Sequence, residues 1–111
     1  MNYNGRKFKV ISKSENSEVA GDTIFEYKQI GDVLTASYSG GEVKIGHLLG
    51  VVDSKGTINL RYHQINAKNE LMTGKCISIP ERLSNGKIRL HENWEWTSGD
   101  FSKGTSVIEE I

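Results

Sequence analysis

A period of two in the apolar residues constrains this chain more than any other feature. Val43, Ile45, His47, Leu49 and Val51 alternate with Lys44, Gly46, Leu48 and Gly50. Ile58, Leu60 and Tyr62 alternate with Asn59, Arg61 and His63, and Ile88, Leu90, Trp94 and Trp96 oppose Arg89, His91, Asn93, Glu95 and Thr97. Successive side chains of a strand point to opposite faces, so each segment has one face suited to a core and one suited to water. No segment sustains helical spacing. The chain reads as all-β.

Turn signals separate the runs: Gly31-Asp32, Ser39-Gly40-Gly41, Asp53-Ser54-Lys55-Gly56, Lys68-Asn69, Ser84-Asn85-Gly86 and Ser98-Gly99-Asp100. Glycine, Asn and Asp supply the positive φ of tight hairpins, and a single proline, Pro80, leaves the ladders their donors. The spacing predicts about eight strands, near residues 5–12, 22–30, 33–39, 42–52, 57–66, 70–79, 86–97 and 101–110. The one long connection, Lys13 to Gly21, reads as a loop or as a short helical turn capped by Ser14 or Ser17. Links this short elsewhere make sequential strands antiparallel neighbours, because parallel pairing needs a long crossover. One domain over residues 1–111 is expected, folded as a closed antiparallel up-and-down barrel that removes both sheet edges. A β-sandwich is the alternative.

If the apolar parity faces the interior, the lining includes Phe8, Val10, Phe25, Leu34, Ala36, Ile45, Leu49, Val51, Ile58, Leu60, Met72, Ile88, Leu90, Trp94, Trp96 and Val107. The same parity carries Tyr27, Tyr38, His47, Tyr62, Gln64, Cys76 and Glu92. A purely structural core avoids such groups, since an unpaired buried polar atom costs ~1–3 kcal/mol. Polar groups converging inside an apolar cup are how small-molecule sites are built. Tyr27, Tyr38, His47, Tyr62, Cys76, Glu92 and Trp94 are therefore the candidate ligand-binding residues, for a small, partly apolar ligand. The other reading leaves them as wet residues at the barrel mouths. Glu92, flanked on its own parity by Leu90 and Trp94, needs a partner that His47 or a tyrosine hydroxyl could supply. A Cys76–His47–Glu92 nucleophile set would also face inward, although a free cysteine is more commonly a small buried hydrophobe.

The opposite parity gathers Arg61, His63, Lys75, Arg89, His91, Asn93 and Glu95. This reads as a solvated face, or alternatively as an anion patch or a homodimer contact centred on Arg61, His63, Arg89 and His91. The 14 basic and 14 acidic residues cancel, which argues against coating nucleic acid or an anionic membrane. One cysteine permits no intrachain disulfide, and the polar, basic N-terminus is no signal peptide, so a cytoplasmic location is expected. The histidines are not spaced as metal ligands. Gly41 and Gly46 have phosphate-loop spacing, but His47 and Leu48 stand where Lys and Ser/Thr are required. No cofactor is called for.

The opening Met1-Asn2-Tyr3-Asn4-Gly5-Arg6-Lys7-Phe8, the central Thr73-Gly74-Lys75-Cys76 and the closing Trp94-Glu95-Trp96-Thr97-Ser98-Gly99-Asp100 resemble a small bacterial family of about this length. Some of its members carry the label N-acetylglutamate synthase. That resemblance implies an acetyltransferase, yet the Gln/Arg-x-x-Gly-x-Gly/Ala loop and the helix such enzymes use for coenzyme A are missing. The chain also bears a looser likeness to the streptavidin and lipocalin-like barrels, in that Trp96-Thr97-Ser98-Gly99, with Ser106-Val107-Ile108 following, is similar to the late-strand tryptophan region of streptavidin. This likeness covers about a fifth of the chain. It implies the barrel and no particular ligand.

Overall fold

The computed structural model describes all 111 residues. Its elements are β1 (Lys7–Lys13), β2 (Ile24–Ile30), β3 (Val33–Gly40), β4 (Val43–Val52), β5 (Ile58–Asn66), β6 (Leu71–Arg82), β7 (Ile88–Trp96) and β8 (Lys103–Glu110). Each strand pairs antiparallel with its neighbours in sequence, and β1 closes on β8 through Val10↔Ile108 and Lys9↔Glu109. The up-and-down barrel is thus the fold. A sandwich is excluded, because no edge stays unpaired. The long β1–β2 connection contains turns and no helix.

The barrel's two ends are sealed by different means. At one, the N-terminal segment tucks Tyr3 fully out of solvent. Its hydroxyl donates to the Gly56 carbonyl, and its ring meets Tyr27 edge-on at 6.1 Å between centroids. Phe8 packs on Tyr27 at 4.7 Å, and Leu34, Ile58, Ile88, Leu90 and Ile108 complete a dry core at this end. The opposite end, ringed by the β1–β2, β3–β4, β5–β6 and β7–β8 loops, is covered by residues 14–23.

Aromatic rings lying over glycines pin the register around the second end. Tyr38 faces Gly46 across β3 and β4, Tyr62 faces Gly74 across β5 and β6, and Trp94 faces Gly104 across β7 and β8. At each of these glycines an added Cβ would clash with the facing ring. A ring laid over a cross-strand glycine fills the space that a side chain would otherwise take. It also opposes slippage, since a one-residue shift would drive the ring into a Cβ.

Strand β4 departs from expectation. Val43 is inward, but a bulge at Lys44 shifts the register against both neighbours, so Gly46, Leu48, Gly50 and Val52 face the lumen beyond it. Ile45, Leu49 and Val51 are consequently more than half exposed on the outer wall, and His47 is exposed there too. Directly paired residues share a face, and Leu48 pairs with the inward Ala36 and Tyr62. A bulge inserts one residue and reverses the parity that follows it. Val107 is likewise corrected: Ile108, paired with Leu90, is the inward residue, and Val107 sits opposite the outward His91.

Candidate ligand site in the barrel lumen

Beneath the β1–β2 loop the lumen holds a cavity of about 50 Å³. One water needs roughly 10–15 Å³ of such space, so the cavity has room for about four waters or a ligand fragment of similar size. Phe25 and Tyr38, tilted against each other with centroids 4.7 Å apart, form one side. Tyr62, Trp96 and Trp94 form the other, meeting edge-to-face at 5.6 and 5.7 Å. Gly74 lies between Tyr62 and Trp96 in the ladder, and its missing side chain lets those rings approach.

Glu92 forms the polar floor. Its carboxylate accepts hydrogen bonds from the Ser106 hydroxyl at 2.9 Å and the Ser78 hydroxyl at 3.1 Å. Burial pushes its pKa up to about 7, against the lowering effect of the two serine bonds. Desolvation dominates because two neutral hydroxyls replace only part of a carboxylate's hydration. Cys76 is close by, its sulfur 3.7 Å from the Ser78 oxygen. Burial, and then the charge of Glu92, hold the thiol far above its ordinary range. Such a thiol is not a poised nucleophile.

The mouth is polar as well. Tyr38 donates its hydroxyl to Gln64 at 2.7 Å, and Gln64 donates to the Glu18 carboxylate at 2.8 Å. Asn66 donates to the other Glu18 oxygen at 2.7 Å. Further bonds tie the loop down, among them Ser14 N–H to the Thr105 carbonyl, Glu42 N–H to the Glu18 carbonyl, and the Trp96 indole N–H to the Asn16 carbonyl. Glu18 thus closes the cavity from above while Glu92 closes it from below.

Of the seven candidates read from the sequence, Tyr38, Tyr62, Cys76, Glu92 and Trp94 come together around this cavity. Tyr27 lies deeper. It is fully buried, and its hydroxyl has no hydrogen-bond partner. Burial and the nearby Glu92 charge raise its pKa well above the ordinary tyrosine value. His47 does not belong to the site: it faces outward, its ring 5.6 Å from that of His63. The Cys76–His47–Glu92 set is therefore not assembled, and neither His47 nor any other histidine partners Glu92.

Sequence reasoning missed Glu18 and Ser106 as lining residues, and it counted Trp96 and Phe25 as core only. The signal for Glu18 was the sole long connection in a chain of tight turns, since such connections commonly carry function.

The outer wall is a different surface. Arg61, Lys75 and Glu95 stand side by side, with Lys75 and Glu95 3.3 Å apart. Arg89 is held by Glu109 at 2.6 Å and His91 by Glu81 at 2.8 Å. A broad depression of about 550 Å³ between Arg61, Lys75, Asn93 and Lys103 opens directly to solvent. Exposed pairs of this kind contribute little to stability.

Comparison with curated proteins and with solved structures returns no match. The profile of a protein family described as avidin-like protein matches residues 1–111, the whole chain. That match gives the synthase label no support, and it accords with the streptavidin-like barrel expected from the tryptophan region. A full-length match and a closed eight-stranded barrel together lead to one assignment: the chain belongs to the avidin-like family.

Proposed function

We propose that this barrel binds a small, partly apolar molecule in the lumen, at the end covered by residues 14–23. The observation that carries this reading is the aromatic cavity with polar groups at its floor and mouth. Pockets of this design bury an apolar body and orient it through a few fixed polar atoms. The cavity is small with the loop in place, so a ligand of more than a few heavy atoms must displace Glu18 and the residues around it. The same proposal puts the protein in a reducing compartment such as the cytoplasm, which suits its one free, buried thiol.

Trp94 and Trp96 are the chain's two tryptophans and both line the cavity, so tryptophan emission reports on the site. A panel of small amphiphilic compounds is expected to include at least one that shifts this emission and raises the melting temperature. At a hundredfold excess over Kd the stabilisation is about 2.7 kcal/mol. A panel of mixed charge and shape that leaves both readouts unmoved would remove the reading.

A second reading, self-association, is favoured by the outer wall of β3, β4 and β6. Val33, Leu49, Val51 and Ile77 are 41–57% exposed there, and Val33 and Val51 are direct cross-strand partners. Arg89 and His91 are held within the chain by Glu109 and Glu81, so the apolar residues suit a partner copy better than the charged cluster does. Sedimentation at tens of micromolar is expected to show a dimer or higher oligomer that Leu49→Lys with Val51→Lys dissociates. A monomeric wild type rules this reading out.

A further inference from the structure

We infer that the ligand enters the lumen as a cation, with a protonated amine or amidine nitrogen seated on Glu92 and its apolar part against Tyr62, Trp94 and Trp96. This deepens the lumen-binding reading above and rests on it.

The cavity's charge carries the inference. None of its 14 lining residues is Lys, Arg or His, while Glu92 stands at the floor and Glu18 at the mouth. Glu92 is nine-tenths buried and makes no ion pair. Two serine hydroxyls hold it, and the deeper Tyr27 hydroxyl is unpartnered. A buried carboxylate is ordinarily paired or relieved of its charge. Here its pairing partner is missing from the chain itself, and open space lies beside it. The walls supply the other half of cation recognition, since indole and phenol faces attract a positive group through their quadrupole. An anion would meet two carboxylates and no compensating donor with a positive charge. A cationic nitrogen meets the charge it lacks.

Acetamidinium, acetamide and acetate provide the test, because they share a four-heavy-atom planar shape and differ in charge. Titrations followed by tryptophan fluorescence and indole N–H resonances, at constant ionic strength, are expected to show acetamidinium binding at least tenfold tighter than the other two. Glu92→Gln should weaken acetamidinium at least tenfold and abolish most of its advantage over acetamide. In the wild type, acetamidinium affinity should rise about tenfold from pH 6 to pH 8, as the competent, ionised fraction of Glu92, whose pKa burial pushes up to about 7, grows from about one-tenth to about nine-tenths. The groups facing Glu92 are Cys76 on β6, Tyr27 on β2, Tyr38 on β3 and Tyr62 on β5, with Glu18 above them at the mouth. Burial raises the first four, so they keep their protons over this range. The pH profile needs no variant and stands even if Glu92→Gln fails to fold.

Acetamide or acetate binding as tightly as acetamidinium would overturn the cation inference and leave lumen binding in place. Acetamidinium binding that ignores both pH and Glu92→Gln, or no binding of acetamidinium at all, would overturn it too. The broader panel then decides whether the lumen binds anything.

Discussion

Gly74→Ala is expected to destabilise the barrel by on the order of 3 kcal/mol, the upper part of the range for overpacking a filled interior. Residue 74 points into the lumen between Tyr62 and Trp96, its ladder partners on β5 and β7. A Cβ at this position would clash with the phenol end of Tyr62. Trp96, edge-on at 5.6 Å, limits how far the ring can swing aside. No positive φ is involved at Gly74, so the cost is steric and not conformational. Gly21→Ala separates the two causes: that residue also lacks a positive φ, and open space surrounds it. Gly21→Ala should therefore be neutral or slightly stabilising, through a less disordered unfolded chain. Urea unfolding of Gly74→Ala, Tyr62→Ala and the double variant closes the argument. Removing the ring should recover much of the alanine's cost, giving a coupling of about 1–3 kcal/mol. Additive effects, or a Gly74→Ala protein as stable as wild type, would show that the ring does not occupy this space.

The same glycines explain which parts of the structure could be read from the sequence. Closure into a barrel was legible because strands such as Ile88–Trp96 alternate cleanly, and short turns leave each strand only its sequential neighbours. Strand β4 was not. Its odd residues are the more apolar, yet its even ones face the lumen, two of them glycines beneath the bulk of other strands. Hydrophobicity counted along one strand cannot register that a glycine is inward because a neighbour's ring lies on it. The bulge at Lys44 leaves no compositional mark either, and His47 was misplaced for that reason. Glu92 was legible, since a charge sharing parity with Leu90 and Trp94 must be buried with them. Glu18 and Tyr3 were not. Each lies outside the regular strands, where side-chain direction has no period, and each is placed by tertiary contacts: Glu18 by Gln64 and Asn66, Tyr3 by Tyr27 and Gly56.

Glu92→Gln should make the ligand-free protein more stable above pH 7 and no more stable near pH 4. The sign follows from where the proton sits. An unfolded Glu releases it near 4.5, and the native barrel retains it until about pH 7. Between those values the native state binds more protons than the unfolded chain, so wild-type stability falls as pH rises through this window and levels off above it. The loss is on the order of 3 kcal/mol, at about 1.4 kcal/mol for each pH unit the window spans. Glutamine is nearly isosteric with the protonated acid, and hydroxyls can turn to donate to its oxygen or accept from its nitrogen. The variant should therefore keep the packing of Ser78 and Ser106 and lose the pH dependence. Thermal unfolding from pH 4 to pH 8 should show the two proteins converging at the acid end and differing by on the order of 10 °C at the alkaline end. Parallel profiles would mean that the wild-type carboxylate is not desolvated as the structure has it. A saturating cation should act on the wild type as the substitution does, by giving the ionised carboxylate a partner, and should have no such effect on Glu92→Gln. A charge whose removal stabilises the empty protein and whose presence holds a ligand marks a position where stability yields to binding.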